Sequence, residues 1–215
     1  PFGLAVNNFA ISTGLEINGR LVSHPSMFEL IFKGLRFDNS LSLDGTGEFE
    51  AVIPVTIGYG KEFYSIFLNK YFDRVYLGGA VKYLNGLKRI STEFSNSTLS
   101  TSKESINIQT TTTLTSAFSG TGFALDLGFA ARSGEKLYLS VSVNNLFGKI
   151  NWTDSDIMSG SVNFNVDELN ITKLDSLFEE SNTTDETTGN INSAYPGYFL
   201  AGFHYQYRPN VSLHS

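Results

Sequence analysis

Apolar and polar residues alternate with a period of two along much of the chain, which is typical of β-strands whose two sides meet different surroundings. The alternation is clearest in residues 120–147. One side of the first predicted strand there carries Phe123, Leu125, Leu127 and Phe129, and the other carries Ala124, Asp126, Gly128 and Ala130. Residues 132–135 predict a tight turn before the alternation resumes. The segment is therefore predicted to be a β-hairpin with one large apolar face and one small or polar face.

The same two-sided pattern recurs in residues 9–17, 53–60, 75–83 and 199–208. We count roughly eight strands of the ~9–11 residues that a tilted strand needs to cross a bilayer. The predicted fold is all-β, an antiparallel transmembrane β-barrel, with residues 1–215 forming one partial barrel domain. Its large apolar side chains, with Phe199 and Phe203 among them, are expected to face lipid.

Two short helices are predicted between the strands. Ser26 and Glu29 form a capping box for a helix over 27–33 that ends at Gly34, and a second helix is expected around 174–178. Their apolar residues are candidates for a lid above the barrel mouth, where they would pack together or line an opening for a ligand: Met27, Phe28, Leu30, Ile31, Phe32, Leu174, Leu177 and Phe178. Loop packing without any ligand explains the same residues.

The connections between the strands set the expected topology. Tight turns are predicted at 61–64, 132–136 and 208–210, on one side of the membrane, whereas 19–47 and 146–196 lie on the outer side. Residues 91–121 contain 17 Ser or Thr in 31 positions. That composition suits either long exposed strands or a loop, and it cannot supply a large core.

Composition and charge exclude several classes of protein. No run of about 20 apolar residues is present, so a helical membrane protein is excluded, while a mean hydropathy of −0.06 is compatible with a barrel that has a polar lumen. A net charge of −6 without a cluster of Lys or Arg argues against nucleic acid as a partner. The absence of Cys excludes a disulfide framework and a thiolate nucleophile.

Asp126 is the most informative acidic residue, because a carboxylate on so apolar a strand must face a lumen, an interface or a cation. We expect it in the lumen with a set of polar residues that would line a ligand path or form a structural ion pair: Lys82, Arg132, His204 and Arg208. Catalytic, cofactor-binding and metal-binding motifs are lacking, so we expect neither an enzyme nor a cofactor nor a metal site. Aromatic residues near strand ends are predicted to form interfacial girdles: Tyr59, Tyr138, Trp152, Tyr205 and Tyr207.

Several segments resemble the FadL/TodX-like outer-membrane proteins, and more closely their relatives of unknown function, which include PorV-like proteins. These segments are 120–132 followed by 137–152, then 78–86 and 205–213. The resemblance implies a barrel in the bacterial outer membrane, surrounded by lipid, that binds or passes hydrophobic small molecules. It also implies a larger barrel than this chain can form, so we expect an internal fragment. The loop that shapes the ligand groove in that family would correspond to 85–119, which here is rich in Ser and Thr and lacks an apolar helix.

Two other functions stay open at this point. A barrel could act as an accessory of secretion or surface assembly, as PorV-like relatives do, with secretion-system proteins as partners of its polar outer segments. Alternatively, the chain could be a soluble β-sandwich that serves as an adhesin or carbohydrate binder. A sandwich would expose Lys, Glu and Thr on its polar face, whereas a barrel lumen tolerates crowded small residues such as Ala124, Gly128 and Ser140.

Overall fold

The computed structural model describes residues 2–34, 36, 38–103, 105–166, 182–208 and 211–214, and of 164–166, 182–188, 207, 208 and 211–214 it describes the backbone. One antiparallel sheet contains all twelve strands of these residues. The strands are β1 (Phe2–Val6), β2 (Phe9–Thr13), β3 (Glu16–Ser23), β4 (Asn39–Ser42), β5 (Gly45–Glu62), β6 (Arg74–Thr101), β7 (Ile106–Ser133), β8 (Leu137–Val166), β9 (Asn182–Thr188), β10 (Ile191–Ala194), β11 (Tyr198–Arg208) and β12 (Val211–His214). The prediction of an all-β, antiparallel fold is therefore confirmed.

The twelve strands form an up-and-down meander. Eight of them lie side by side along the path through the sheet, and the other four pair with strands of that path. β2 and β3 both pair with β5, β4 pairs with β6 beyond the start of β5, and β9, β10 and β11 all pair with β8. The path through the sheet is β1-β2-β5-β6-β7-β8-β11-β12. β1 and β12 end this path and are not paired with each other within the described residues.

Three central strands are far longer than the sequence pattern indicates. β6 and β7 have 28 residues each and β8 has 30, which at ~3.3 Å per residue is roughly three times the length that crosses a bilayer. The Ser- and Thr-rich segment forms the adjoining halves of β6 and β7, joined by a short turn at 102–105. Of the two alternatives for this segment, long strands are correct, and a loop over 85–119 is wrong.

The connections leave the sheet at two opposite edges. The turn at 7–8, the connection 63–73 and the turn 134–136 lie at one edge, which we call the lower edge. The connection 24–38 and the turn at 102–105 lie at the other, the upper edge. The hairpin turn near 134 is confirmed, with Gly134 at φ +60°. A tight turn at 61–64 is wrong, because an eleven-residue connection with a 3-10 helix at Leu68–Lys70 runs there.

Helix α1 (Pro25–Lys33) confirms the first predicted helix. Its cap differs from the capping box, because Pro25 begins the helix and the side chain of His24 accepts a hydrogen bond from the Ser26 amide. Glu29 instead pairs with Lys33 at 2.8 Å. Gly34 ends the helix, as predicted, and its φ is positive. The second predicted helix lies in 167–181, outside the described residues, and none of the helices described has the length and hydropathy required to cross a membrane.

Candidate functional site

The two faces of the sheet differ in side-chain size. On one face of the lower half, large apolar side chains are exposed to solvent, and we call this set the apolar belt: Phe9, Ile11, Val55, Ile57, Tyr59, Leu77, Val81, Tyr83, Phe123, Leu125, Leu127, Val141, Phe199 and Phe203. The predicted outward orientation of Phe123, Leu125 and Leu127 agrees with their exposure. Phe129 lies on the same face and is half-buried.

Aromatic pairs and polar residues mark the limits of the apolar belt. Phe9 and Tyr59 are in contact near the lower edge, with ring centroids 4.9 Å apart, and Tyr83 contacts Phe123 at 5.5 Å on the upper side. Directly above the second pair, three exposed polar residues lie side by side on β6, β7 and β8: Asn85, Thr121 and Asn151. From Leu77 to Tyr83 the apolar stretch of β6 spans seven residues, or ~23 Å along the strand, which is close to the ~25 Å of a membrane-facing band.

The opposite face is concave, because side chains from strands at opposite flanks of the sheet meet across it. Tyr195, which follows β10, donates a hydrogen bond from its hydroxyl to the carboxylate of Glu16 on β3. Between these flanks lies a buried cluster that we call the plug: Val52, Leu84, Ala117, Ala124, Ile150, Trp152 and Tyr195. The concave side is therefore filled at mid-height.

Trp152 is the largest residue of the plug and is fully buried. Its Nε1 donates a hydrogen bond to Ser193 Oγ at 2.9 Å, which satisfies the only polar atom of the ring. Gly86 and Gly120 face the indole from β6 and β7, and a Cβ at either position would lie 2.7 Å from its ring atoms. Glycine at these positions thus provides the space for the indole. The prediction that Trp152 belongs to an interfacial girdle is wrong.

Below the plug, Asp126 forms an ion pair with Lys82, one of the residues that the sequence predicts on the same polar face. Lys82 Nζ lies 3.0 Å from Asp126 Oδ2, and their side chains are 7% and 18% exposed. Lys82 Nζ also donates to Asn145 Oδ1 at 2.7 Å. A charge pair so little exposed is tolerated when additional hydrogen bonds satisfy both partners.

Asp126 also organises an irregularity in β8. The register between β7 and β8 shifts twice between Phe123 and Leu127, and Asn145 and Phe147 adopt positive φ. Asp126 Oδ1 accepts the amide of Asn145 at 2.8 Å, while Asn145 Nδ2 donates to the Pro196 carbonyl at 2.8 Å. The carboxylate therefore holds a double bulge in place, which favours the structural alternative for this residue.

A second polar group lies above the apolar belt on the concave side. Glu50 is buried and accepts a hydrogen bond from Asn18 Nδ2 at 3.3 Å. Burial raises the pKa of the Glu50 carboxyl above its ordinary value, and the Asn18 bond and the Arg89 charge oppose this rise.

We predict that Glu50→Gln flattens the pH dependence of stability. A carboxyl whose pKa is raised in the folded state binds protons more readily there, so the free energy of unfolding falls as the pH rises from about 4.5 through the higher folded pKa. Gln cannot ionise, so this fall should vanish and stability at pH 7 should rise. Denaturant titrations across this range measure the effect. Asn18→Ala should extend the fall to higher pH, and an unchanged slope in Glu50→Gln would contradict the assignment.

Small residues line the lower part of the concave face. Gly60, Gly78, Gly128 and Ser142 form one row across β5 to β8. Two adjoining cavities of about 390 and 420 Å³ lie against this region, and both include Tyr76, Ala130 and Ser140 in their walls. We call them together the lower chamber. It has the small-residue lining expected for a lumen.

Two other predicted lumen residues lie at the end of the lower chamber, away from Asp126. Arg132 donates from Nε to the Gly134 carbonyl at 2.7 Å, and its guanidinium lies 5.3 Å from the ring of Tyr138. His204 also contacts that ring, edge-on, with centroids 5.8 Å apart. Arg208 belongs to β11, and its side chain lies outside the described part of the chain. The structure thus brings Lys82 to Asp126 and places Arg132 with His204.

The lid candidates of α1 are mostly exposed. Phe28, Ile31 and Phe32 are exposed, and Met27 and Leu30 are half-buried. Leu174, Leu177 and Phe178 fall outside the described residues, so packing between the two predicted helices stays a prediction.

Asn145, Glu16 and Tyr195 are site residues that the sequence pattern did not indicate. Asn145 lies in an Asn-Asn pair that interrupts the alternation of β8. This interruption is the feature of the sequence that could have predicted a bulge. Glu16 and Tyr195 are 179 positions apart and carry no such signal. Among the described side chains, no group of three His, Asp or Glu is arranged to hold a metal ion.

Comparison with known proteins gives one family. A profile described as a family of unknown function (DUF5723) matches residues 106–214, which are 109 of the 215 residues. The match begins at β7 and includes Asp126, Asn145, Trp152 and Tyr195. Neither the curated proteins nor the solved structures give a match. The chain belongs to the DUF5723 family of unknown function.

Proposed function

We propose that this chain forms part of the wall of a transmembrane β-barrel in the bacterial outer membrane, and that the barrel binds or passes hydrophobic small molecules. The observation that carries the proposal is the apolar belt, a continuous set of exposed large apolar side chains on the convex face of a curled sheet. Soluble monomers rarely expose an apolar patch of this size. Contact with lipid instead of water would remove the free-energy cost of exposing this apolar surface.

The distribution of side chains argues against a soluble sandwich. In a sandwich, the large apolar face packs against a second sheet. Here the plug lies on the concave face, whereas Phe123, Leu127 and Phe199 on the convex face are all more than half exposed. Small residues such as Gly78 and Gly128 line the concave face below the plug, as in the lumen of a barrel.

The position of the plug determines the route that a ligand would take along the concave side. The plug fills the concave side at mid-height, so the described residues do not enclose an open aqueous path past Trp152. A hydrophobic molecule that arrives from the upper edge would meet the exposed Phe28 and Phe32 of α1 first. The lower chamber, below Lys82 and Asp126, would receive it only after the plug rearranges. The proposed activity is therefore binding with gated passage.

A role as an accessory of secretion or surface assembly is the second candidate, and the length of the central strands favours it. β6, β7 and β8 continue beyond Asn85, Thr121 and Asn151 for about 15 residues each, or roughly 50 Å. A Ser- and Thr-rich sheet of this height would offer a broad polar surface to secretion-system proteins. Cells that lack the gene separate the two roles: reduced uptake of a hydrophobic dye supports binding and passage, and loss of surface proteins with normal dye uptake supports the accessory role.

Leu125→Arg and Met158→Arg form a matched pair that tests membrane insertion. Leu125 is 42% exposed within the apolar belt, and Met158 is 43% exposed on the same strand pair far above it. We predict a loss of about 2–4 kcal/mol for Leu125→Arg, because arginine would enter the middle of the bilayer, and little change for Met158→Arg. Comparison of boiled and unboiled membrane extracts on a detergent gel measures the folded fraction. Equal folded fractions for the two variants would contradict the proposal.

A further inference from the structure

The connection between β5 and β6 at the lower edge exposes an unusual number of large apolar side chains. Phe63, Tyr64, Ile66, Phe67 and Tyr71 are between 46% and 85% exposed. Two of them are tyrosines, whose apolar ring and polar hydroxyl suit a boundary between lipid and water. We call residues 63–73 the aromatic loop.

The aromatic loop is held in one conformation by its own hydrogen bonds. Asn69 Oδ1 accepts the Ser65 amide at 2.7 Å, and the Asn69 amide donates to the Ser65 carbonyl at 2.8 Å. The amides of Tyr71 and Phe72 both donate to the Leu68 carbonyl at 3.0 Å. A loop stabilised in this way presents its apolar side chains at fixed positions.

Contacts with the neighbouring turn fix the aromatic loop to the sheet. The Asp73 amide donates to the Arg132 carbonyl at 2.8 Å, and the Asp73 carboxylate accepts the Gly134 amide. At the other end, the Phe63 amide donates to the Val75 carbonyl at 2.7 Å. The loop is therefore rigidly attached at the lower edge, next to the 134–136 turn.

The aromatic loop adjoins the apolar belt. A groove of about 650 Å³ on the convex face has Phe63 in its wall together with Tyr59, Leu77 and Leu127, and Lys61 and Glu62 also line it. A surface that covered the belt would therefore reach the aromatic loop at Phe63, beside these two charged residues. The occupant of the belt is lipid under the proposed function, on which this inference rests.

We propose that the aromatic loop is an interfacial membrane anchor that places Tyr64, Phe67 and Tyr71 in the headgroup region of the leaflet at the lower edge. Each side chain would bury its ring among the acyl chains near the headgroups. The anchor would fix the depth and tilt of the barrel at this edge. A protein partner that docks on the same side chains is the competing occupant.

Fluorescence quenching in vesicles tests the anchor, and the absence of native Cys allows single labels. Phe67→Cys and, as a second position, Tyr64→Cys carry an environment-sensitive fluorophore in the refolded protein. The vesicles contain phospholipids with a nitroxide either near the headgroup or near the end of the acyl chain. We expect a blue-shifted emission at both positions and a loss of most of the intensity with the nitroxide near the headgroup.

Two further labelled positions distinguish the possible failures. Glu135→Cys, on the neighbouring exposed turn, should not be quenched, and Leu125→Cys in the apolar belt should be quenched most by the nitroxide at the end of the chain. Quenching at 125 with none at 67 and 64 would overturn the anchor and leave the barrel proposal intact. Absence of quenching at 125 would overturn the proposed function itself.

Discussion

Trp152→Ala is expected to lower the free energy of unfolding by about 3–5 kcal/mol. The indole is fully buried in the plug, so its removal leaves a cavity and also leaves Ser193 Oγ without its donor. Chemical denaturation of the protein in detergent micelles measures the loss. A loss below about 1 kcal/mol would mean that the plug does not stabilise the sheet.

Two glycines provide matched controls for the plug. Gly86→Ala places a methyl group 2.7 Å from the indole, whereas Gly128→Ala, on the same concave face, meets no atom within 4 Å. We expect a cost of about 1–3 kcal/mol for Gly86→Ala and almost none for Gly128→Ala. In the Trp152→Ala background most of the cost of Gly86→Ala should disappear, because the clashing ring is gone and only the Gly120 Cα, at 3.2 Å, remains close. Additive effects of the two substitutions would contradict this contact.

Lys82→Met is expected to cost about 3–5 kcal/mol, because it leaves the carboxylate of Asp126 largely buried without its counter-charge. Asp126 also supports the bulge at Asn145, so the register of β8 should loosen, and amide exchange at residues 144–148 should quicken. The exposed Lys149→Met is the control, with an expected change within about 0.5 kcal/mol. Addition of Asp126→Asn to Lys82→Met should recover part of the loss. Equal stability of the two Lys variants would contradict the ion pair's role.

The sequence pattern predicted the strands and their faces wherever a buried face opposes an exposed one. The alternation around Asp126 predicted both the outward phenylalanines and the inward carboxylate, because residues 123–130 keep a strict period of two. The upper halves of β6 and β7 lack this contrast, since most residues from 106 to 116 are half-buried. The sequence pattern therefore did not determine the length of these two strands.

The contents of the concave side were predicted only in part. The polar faces of the strands indicated a basic partner for Asp126 and left Lys82, Arg132 and Arg208 open, and the structure selects Lys82. The inward position of Trp152 depends on Gly86 and Gly120 facing it from other strands, and only the pairing register brings these residues together. The hydrogen bond between Tyr195 and Glu16 depends on the curl of the whole sheet, which no local pattern encodes.

The central claim is that the apolar belt faces lipid. Nitroxide side chains introduced by single Cys substitutions at 125, 127 and 158 test it in reconstituted vesicles through their collision rates with oxygen, which dissolves in lipid, and with a water-soluble nickel chelate. We predict that positions 125 and 127 collide often with oxygen and rarely with the chelate, whereas position 158, which is exposed to the same degree as 125, shows the reverse. Frequent collisions with the chelate at 125 and 127, equal to those at 158, would contradict the claim.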